Sequence, residues 1–294
     1  MSAALQLERK PLAPGLYLVA TPIGNLDDIT LRALNVLAAA DRIACEDTRQ
    51  TAKLLSHFGL STPTVSYHDH NELSRSAQLL EQLRQGARIA VVSDAGTPGI
   101  ADPGAVLAAE AIAAGIAVFP IPGANAAINA LIASGLSAEA FAFHGFLHAK
   151  EGARRTQLEA LREQLTATRS NATQIFYEAP HRILGTLEDL RQVFGADHRI
   201  ALARELTKLH EEFLRGTVAE VEATLSQREN IRGEMVLMLS GALAEKAVAT
   251  TTLASEVVAL IASGTTEKDA LKQVAKARGL GKSEAYREWQ RTKR

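Results

Sequence analysis

Three short stretches set acidic, hydroxyl-bearing and glycine residues where a strand should pass into a helix. None of the three is shaped for a phosphate. In TPIGNLDDIT (21–30) one glycine, Gly24, follows Pro22 and Ile23 and precedes Asp27 and Asp28. A dinucleotide loop needs G-x-G-x-x-G and a Walker loop needs G-x-x-x-x-G-K-[ST]. The turn therefore suits a neutral or cationic ligand, or serves simply as a helix start capped by Asp28 or Thr30. SDAGTPGIADPG (93–104) gathers Asp94, Gly96, Thr97, Gly99, Asp102 and Gly104 after an apolar run, so that a carboxylate and bare backbone carbonyls can meet an ammonium group. PIPGANAAINAL (120–131) places Pro122 and Gly123 before small residues that open a helix, where exposed N–H groups can receive a carboxylate. Three such strand ends together point to a small zwitterion lying across a sheet edge. S-adenosylmethionine fits that description.

Methyl transfer from a sulfonium is a displacement whose neutral leaving group needs no acid, so alignment of donor and acceptor carries most of the catalysis. A hydroxyl acceptor adds a need for a base or a charge that helps remove its proton. Glu46, Asp47 and Arg49 in CEDTRQT stand just beyond a strand and are the expected catalytic group, with His68, His70, Asn71 and Glu72 of YHDHNE at a neighbouring strand end. Glu178, His181 and Arg182, and Arg204, Glu205 and Lys208, form a second polar set. EDTR also fits a capped helix start with a surface ion pair, and its arginine also suits an RNA phosphate. His68-x-His70 lacks a placed third ligand, so no metal is expected.

The elements that must position these residues are legible as periodicity. GLYLVA (15–20), RIACE (42–46), TVSYH (64–68), RIAVVSD (88–94) and IAVFPIPG (116–123) predict strands. Between them LRALNVLAAA, SRSAQLLEQLRQG and DPGAVLAAEAIAAG repeat apolar positions at three and four, as helices do. The alternation predicts an α/β domain with a mostly parallel sheet, whose strand ends collect ligands. Residues 135–155 are Gly-, His- and basic-rich with weaker periodicity and suggest a hinge. NATQIFYEAP, HRIALARELT and RGEMVLMLSG then predict strands of a second α/β or α+β domain.

At 294 residues, with 47% apolar and 22% charged residues, the chain is long enough for two globular domains and an appendage. No apolar run reaches the length of a membrane span, and the charged N-terminus, expected to be a short leader of little structure, does not resemble a signal peptide. The lone Cys45 excludes an internal disulfide. A cytoplasmic location is expected. The net charge of −1 gives no overall pull toward a polyanion, so any nucleic acid must be met by a local patch. From Thr265 to Arg294 nine Lys/Arg stand against four Asp/Glu. That tail reads as helix, Gly-Leu-Gly turn, helix: either a helix-turn-helix-like grip on RNA backbone, or a solvated basic pair packed on the second domain through Leu271, Val274, Tyr286 and Trp289.

YLVATPIGNLDDIT, IACEDTR, SYHDHNE, VVSDAGTPGIADPG, PIPGANAAI, FYEAPHRI and ARELTKLHEEFLRGT, in this order, resemble the bacterial small-subunit ribosomal RNA 2′-O-ribose cytidine methyltransferases of the tetrapyrrole-methylase-like class. The resemblance covers roughly residues 14–241 and, through the tail, most of the chain. It implies two α/β domains of the tetrapyrrole-methylase type (14–135 and 136–241) and a small helical tail (242–294). It implies a cytoplasmic homodimer using S-adenosylmethionine to methylate a cytidine in the decoding region of 16S rRNA within the small ribosomal subunit, with no DNA or membrane partner. Carried over by position, the donor loops fall on Pro22, Ile23 and Gly24; on Ser93, Asp94, Ala95 and Thr97; and on Pro122, Gly123, Asn125 and Ala126. Tyr177, Leu206 and Glu234 would close over the adenosine. The class's second and third glycines of the first loop are absent, Ser93 replaces a glycine, Ala95 a proline, and Asn125 and Ala126 two serines. A small-molecule or diphthamide-type methyltransferase of the same fold, and a silent nucleoside-binding module that assists ribosome assembly, are the competing readings.

Overall fold

The computed structural model describes residues 11–68, 71–243, 253–278 and 280–292, with the side chains of 282–284 excepted. Most of the leader, and His70, lie outside the described residues. The chain divides into two compact units, Met1–Leu243 and Ala244–Arg294. The first holds two five-stranded sheets.

The first sheet is built from β1 (Gly15–Val19), β2 (Arg42–Cys45), β3 (Thr64–Ser66), β4 (Arg88–Val92) and β5 (Val118–Ile121), in the order β3-β2-β4-β1-β5 and parallel throughout. Side chains alternate across it. Tyr17, Val19, Ala90 and Val92 face one core with α1 (Leu31–Ala39) and α2 (Thr48–His57), while Leu16, Ile89 and Val91 face another with α3 (Glu72–Arg84) and α4 (Ala105–Ala113). Thr30 caps α1 by accepting the Ala33 N–H, the capping alternative that the sequence offered. Neighbouring β1 and β4 send their connections in opposite directions, to β2 and to β5, so their carboxyl ends open a crevice of the kind that binds ligands in such sheets.

The second sheet contains β6 (Phe141–Phe146), β7 (Thr173–Glu178), β8 (Arg199–Arg204), β9 (Glu212–Thr217) and β10 (Met235–Leu239), ordered β6-β7-β10-β8-β9. Only the β6–β7 pair is parallel. The stretch expected to be a hinge thus contains an edge strand of this sheet. One face is covered by α6 (Glu151–Thr168), α7 (Ile183–Phe194) and α8 (Val218–Ser226). On the other face α5 (Ala126–Ser134), which follows β5, packs Ala127, Ala130 and Leu131 against Ile175, Ala201, Val236 and Met238. Ile23, from the loop after β1, and Leu206, from the loop after β8, join this core, so apolar packing ties a loop of the first sheet to the second sheet.

The second unit comprises α9 (Leu253–Ala262), α10 (Glu267–Ala277) and α11 (Lys282–Thr292). Leu253, Val257, Ala270, Val274, Ala285 and Trp289 form its own core. Val274 and Trp289 are therefore used within the tail itself, while Tyr286 is exposed. Among the described residues, no helix is long and apolar enough to cross a membrane.

Candidate active site

The loops after β1, β4 and β5 are tied to one another by short hydrogen bonds. Thr21 and Gly96 exchange backbone bonds of 2.8 and 3.0 Å. Buried Ser93 donates its hydroxyl to the Gly96 carbonyl at 3.1 Å and accepts from the Thr21 hydroxyl at 3.2 Å on its own carbonyl. Thr97 Oγ1 donates to the Ala124 carbonyl at 3.0 Å. The loop after β2 joins them, because the Asp47 N–H donates to Asp94 Oδ1 at 3.1 Å. One Asp94 oxygen is thereby held in place.

A loop of the second sheet closes the crevice. The Asn25 N–H donates to Thr207 Oγ1 at 3.0 Å. A Cβ on Gly24 would lie 3.0 Å from the Leu206 carbonyl and 2.9 Å from Thr207 Oγ1, besides striking the Lys208 stem. Only a residue without a side chain permits that approach. Glu205 and Thr207 have φ of 52° and 65°, and Ala101 on the facing wall has φ of 61°. Non-glycine residues in this region cost conformational energy, and such strain clusters at ligand clamps.

Between these loops lies a cavity of about 680 Å³, in the range that encloses one small ligand. Glu46, Ile23, Asp94, Ala95, Thr97, Asn125 and Ala126 line it from the first sheet, and Tyr177, Leu206 and Glu234 from the second. Asp102, Glu178, Glu205 and Lys208 also line it. Burial opposes the charge of Lys208, yet its hydrogen bonds to Glu205 (2.8 Å) and Glu234 (2.9 Å) outweigh that and raise its pKa, so it stays a cation. Buried Glu178 has its carboxylate taken up by Arg182, by the Thr186 hydroxyl at 2.7 Å and by the Ala179 N–H at 2.7 Å. It works as an anchor for the cavity floor. Burial foremost pushes the Tyr177 phenol up, outweighing the backbone of Ala127 and helped by the charge of Asp102, leaving a neutral hydroxyl.

The remaining expected residues stand behind or beside the cavity. Ser93, Gly24, Pro22, Pro122 and Gly123 do not line it; Gly123 instead packs against Ala20, just after β1, where a Cβ would come within 2.8 Å of the Ala20 methyl. Asp47 and Arg49 are also absent from the lining. Asp47 caps α2 and binds the Arg49 guanidinium at 3.0 and 2.7 Å, which holds its pKa at about 2. The Arg49 side chain is 86% exposed. Glu72 accepts from the Tyr67 hydroxyl (2.9 Å) and the Gly104 N–H (3.1 Å), bracing the turn before α4.

Residues 15–222 match the model of the Tetrapyrrole (Corrin/Porphyrin) Methylases. The Ribosomal RNA small subunit methyltransferase I of Halalkalibacterium halodurans is 48% identical over 276 residues, covering 92% of this chain and 93% of that one. Its Bacillus subtilis counterpart is 45% identical over 277 residues, covering 92% of each. The chain belongs to the ribosomal RNA small subunit methyltransferase I family, within the tetrapyrrole methylases. Solved structures share the fold at lower identity. A conserved hypothetical protein from Aeropyrum pernix K1 superposes with a TM-score of 0.61 at 19% identity, covering 96% of this chain and 97% of that one. A uroporphyrin-III-C-methyltransferase from Thermus thermophilus gives 0.52 at 21%, covering 78% and 96%.

The methyl donor of this methyltransferase family is S-adenosylmethionine, and the cavity suits it. Asp94, Glu46 and Asp102 line a space to which Ile23, Leu206, Met235 and Val236 add apolar surface, so cationic and apolar parts of one ligand both find matching surface. Sequence reasoning missed Ile100, Ala101, Phe146, Met235 and Val236 in this lining. Met235 and Val236 lie inside a strand-like apolar run, which carries no sign that one side chain faces a ligand. Phe146 was hidden by an irregularity in β6.

Proposed function

We propose that this chain transfers the methyl group of S-adenosylmethionine to the 2′-hydroxyl of a cytidine in the decoding region of 16S rRNA, on the small ribosomal subunit, as a cytoplasmic homodimer. The observation that carries this reading is 45–48% identity, over 92% or more of both chains, to proteins named Ribosomal RNA small subunit methyltransferase I. The tail supports an RNA acceptor. Lys268, Lys272 and Lys276 recur every four residues along one exposed face of α10, and Lys268 and Lys272 share a groove with Tyr286 and Arg287 of α11. Ile128 and Ile132, one turn apart and exposed on α5, offer apolar surface to a second copy.

When bound, S-adenosylmethionine supplies an electrophilic methyl on a sulfonium that departs as a neutral thioether. Asp94, Thr97, Asn125, Ala126, Tyr177, Leu206 and Glu234 hold the donor in this reading. Pro22, Gly24, Ser93, Pro122 and Gly123 shape the loops that carry them. Glu46, the one member of the expected catalytic trio in the lining, accepts the proton of the ribose hydroxyl. Arg49, braced by Asp47, meets an RNA phosphate. Lys208 is a cation and therefore adds positive potential instead of acting as a base.

Transfer of labelled methyl to small subunits from a strain lacking the protein, beside naked 16S rRNA, tests this reading. Labelled 2′-O-methylcytidine from the particle is the expected product. A label at a base, or on protein or a tetrapyrrole alone, would overturn it.

A further inference from the structure

β6 loses register near its end. Phe141, Ala142 and Phe143 pair with Thr173, Gln174 and Ile175, and the next pair is Phe146 with Tyr177. His144 and Gly145 thus stand opposite the single residue Phe176, which makes a β-bulge. Gly145 has φ of 67°, a conformation that glycine adopts without steric cost.

The bulge decides which way Phe146 points. In an uninterrupted strand residues 144 and 146 share a face. His144 stacks on Phe176 at 4.8 Å, and Phe176 belongs to the core beneath α6, α7 and α8. The extra residue reverses the alternation and returns Phe146 to the face of Phe143. Both rings then meet Tyr177 edge-on, at 4.9 Å from Phe143 and 5.6 Å from Phe146. Phe143 is packed into the core under α5, whereas Phe146 lines the cavity and is 55% exposed. Leu147, the next residue, is buried in the opposite core and pins the strand end. His148 and Lys150, just beyond, are exposed.

An aromatic ring fixed from behind, open to solvent at a donor cavity and followed by the exposed Lys150 ammonium, matches the way proteins hold a single unstacked nucleotide. The base stacks on the ring and the backbone meets the cation. A ribose in an A-form helix shows its 2′-hydroxyl only on the shallow minor groove, so bringing that oxygen to a donor inside a closed cleft favours a nucleotide taken out of its stack, whose lost stacking contacts the protein replaces. We propose that Phe146 is the stacking platform for the acceptor nucleobase, holding a pyrimidine at the cavity mouth so that its ribose faces the methyl donor. The proposal rests on the RNA-methyltransferase reading above.

The full-length Phe146→Ala, Phe146→Leu and Phe146→Trp variants test it, with methyl-transfer kinetics on small subunits lacking the modification and S-adenosylmethionine affinity by calorimetry. Phe146→Ala and Phe146→Leu should both lower kcat/KM toward subunits by about 5- to 150-fold, the factor that base–aromatic stacking is worth. Phe146→Trp should stay near wild type, and donor Kd should stay within about twofold in all three, the change of a surface contact. Donor affinity falling in step with activity would show that the ring serves the donor's adenine and would overturn the proposal. Full activity of Phe146→Leu would overturn it too, since apolar bulk without a ring would suffice. Absence of transfer to RNA by the wild-type protein, with donor bound, would remove the functional reading and this proposal with it.

Discussion

Asp94 and Arg49 have opposite surroundings, and their substitutions should separate two steps. Asp94 lines the cavity and has one oxygen fixed by the Asp47 N–H. Asp94→Ala should weaken S-adenosylmethionine binding by about tenfold or more, the loss of about 1.4 kcal/mol of charge pairing, as calorimetry would read. Arg49 points into solvent, held by Asp47. Arg49→Ala should leave donor Kd unchanged and depress methyl transfer to small subunits. Normal activity of both variants would sink the assignment of these residues. The motif EDTR was visible in the sequence. Its division into a cavity residue, a helix cap and an exposed cation was not, because neighbouring residues at a strand end diverge according to the packing around them.

Among the elements, β9 shows how an edge strand is held by charge. Glu212 accepts from Arg228 at 2.6 Å and from Arg204 at 3.0 Å, and Arg228 foremost, against the opposing effect of burial, lowers its pKa to about 2. A carboxylate whose folded pKa lies below its unfolded value of about 4.5 contributes stability above that value, and the contribution is lost as pH falls toward the folded pKa. Glu212→Gln should therefore be less stable than wild type at pH 7, with the difference fading between about pH 4.5 and pH 2. Urea unfolding across that range would show it, and a pH-independent difference would contradict the ion-pair account. The central strands of the first sheet, β1, β2 and β4, were legible because they are largely buried and read as apolar runs. β6 and β9 were not among the expected strands, since edge strands with half-exposed residues and glycines carry little alternation; the β6 bulge interrupts what remains.

At the scale of the whole molecule, the two units carry different chemistry on one nearly neutral chain. Leu253, Val257, Val274 and Trp289 fill the tail's own core, while Lys268, Lys272 and Lys276 form an exposed stripe with about 6 Å of helix rise between successive residues. Such a stripe suits a row of phosphates, and it also describes a solvated helix face. Lys268→Glu with Lys272→Glu should raise KM for small subunits and flatten the salt dependence of binding while leaving donor affinity alone. An unchanged salt dependence would assign the stripe to solvation.

By itself the sequence determined the α/β class, the three strand-end loops, their mismatch to phosphate and the basic helical tail. These follow from local periodicity and from glycine and proline at turns, which act over a few residues. Only the tertiary structure decided that Asp47 would hold Asp94, that Gly24 and Asn25 would dock on a loop 182 residues away at Thr207, and that a bulge would turn Phe146 into the cavity. Those outcomes depend on strand order and on how α5 and the loop after β1 pack against the second sheet, and both are set by the packing of the whole unit.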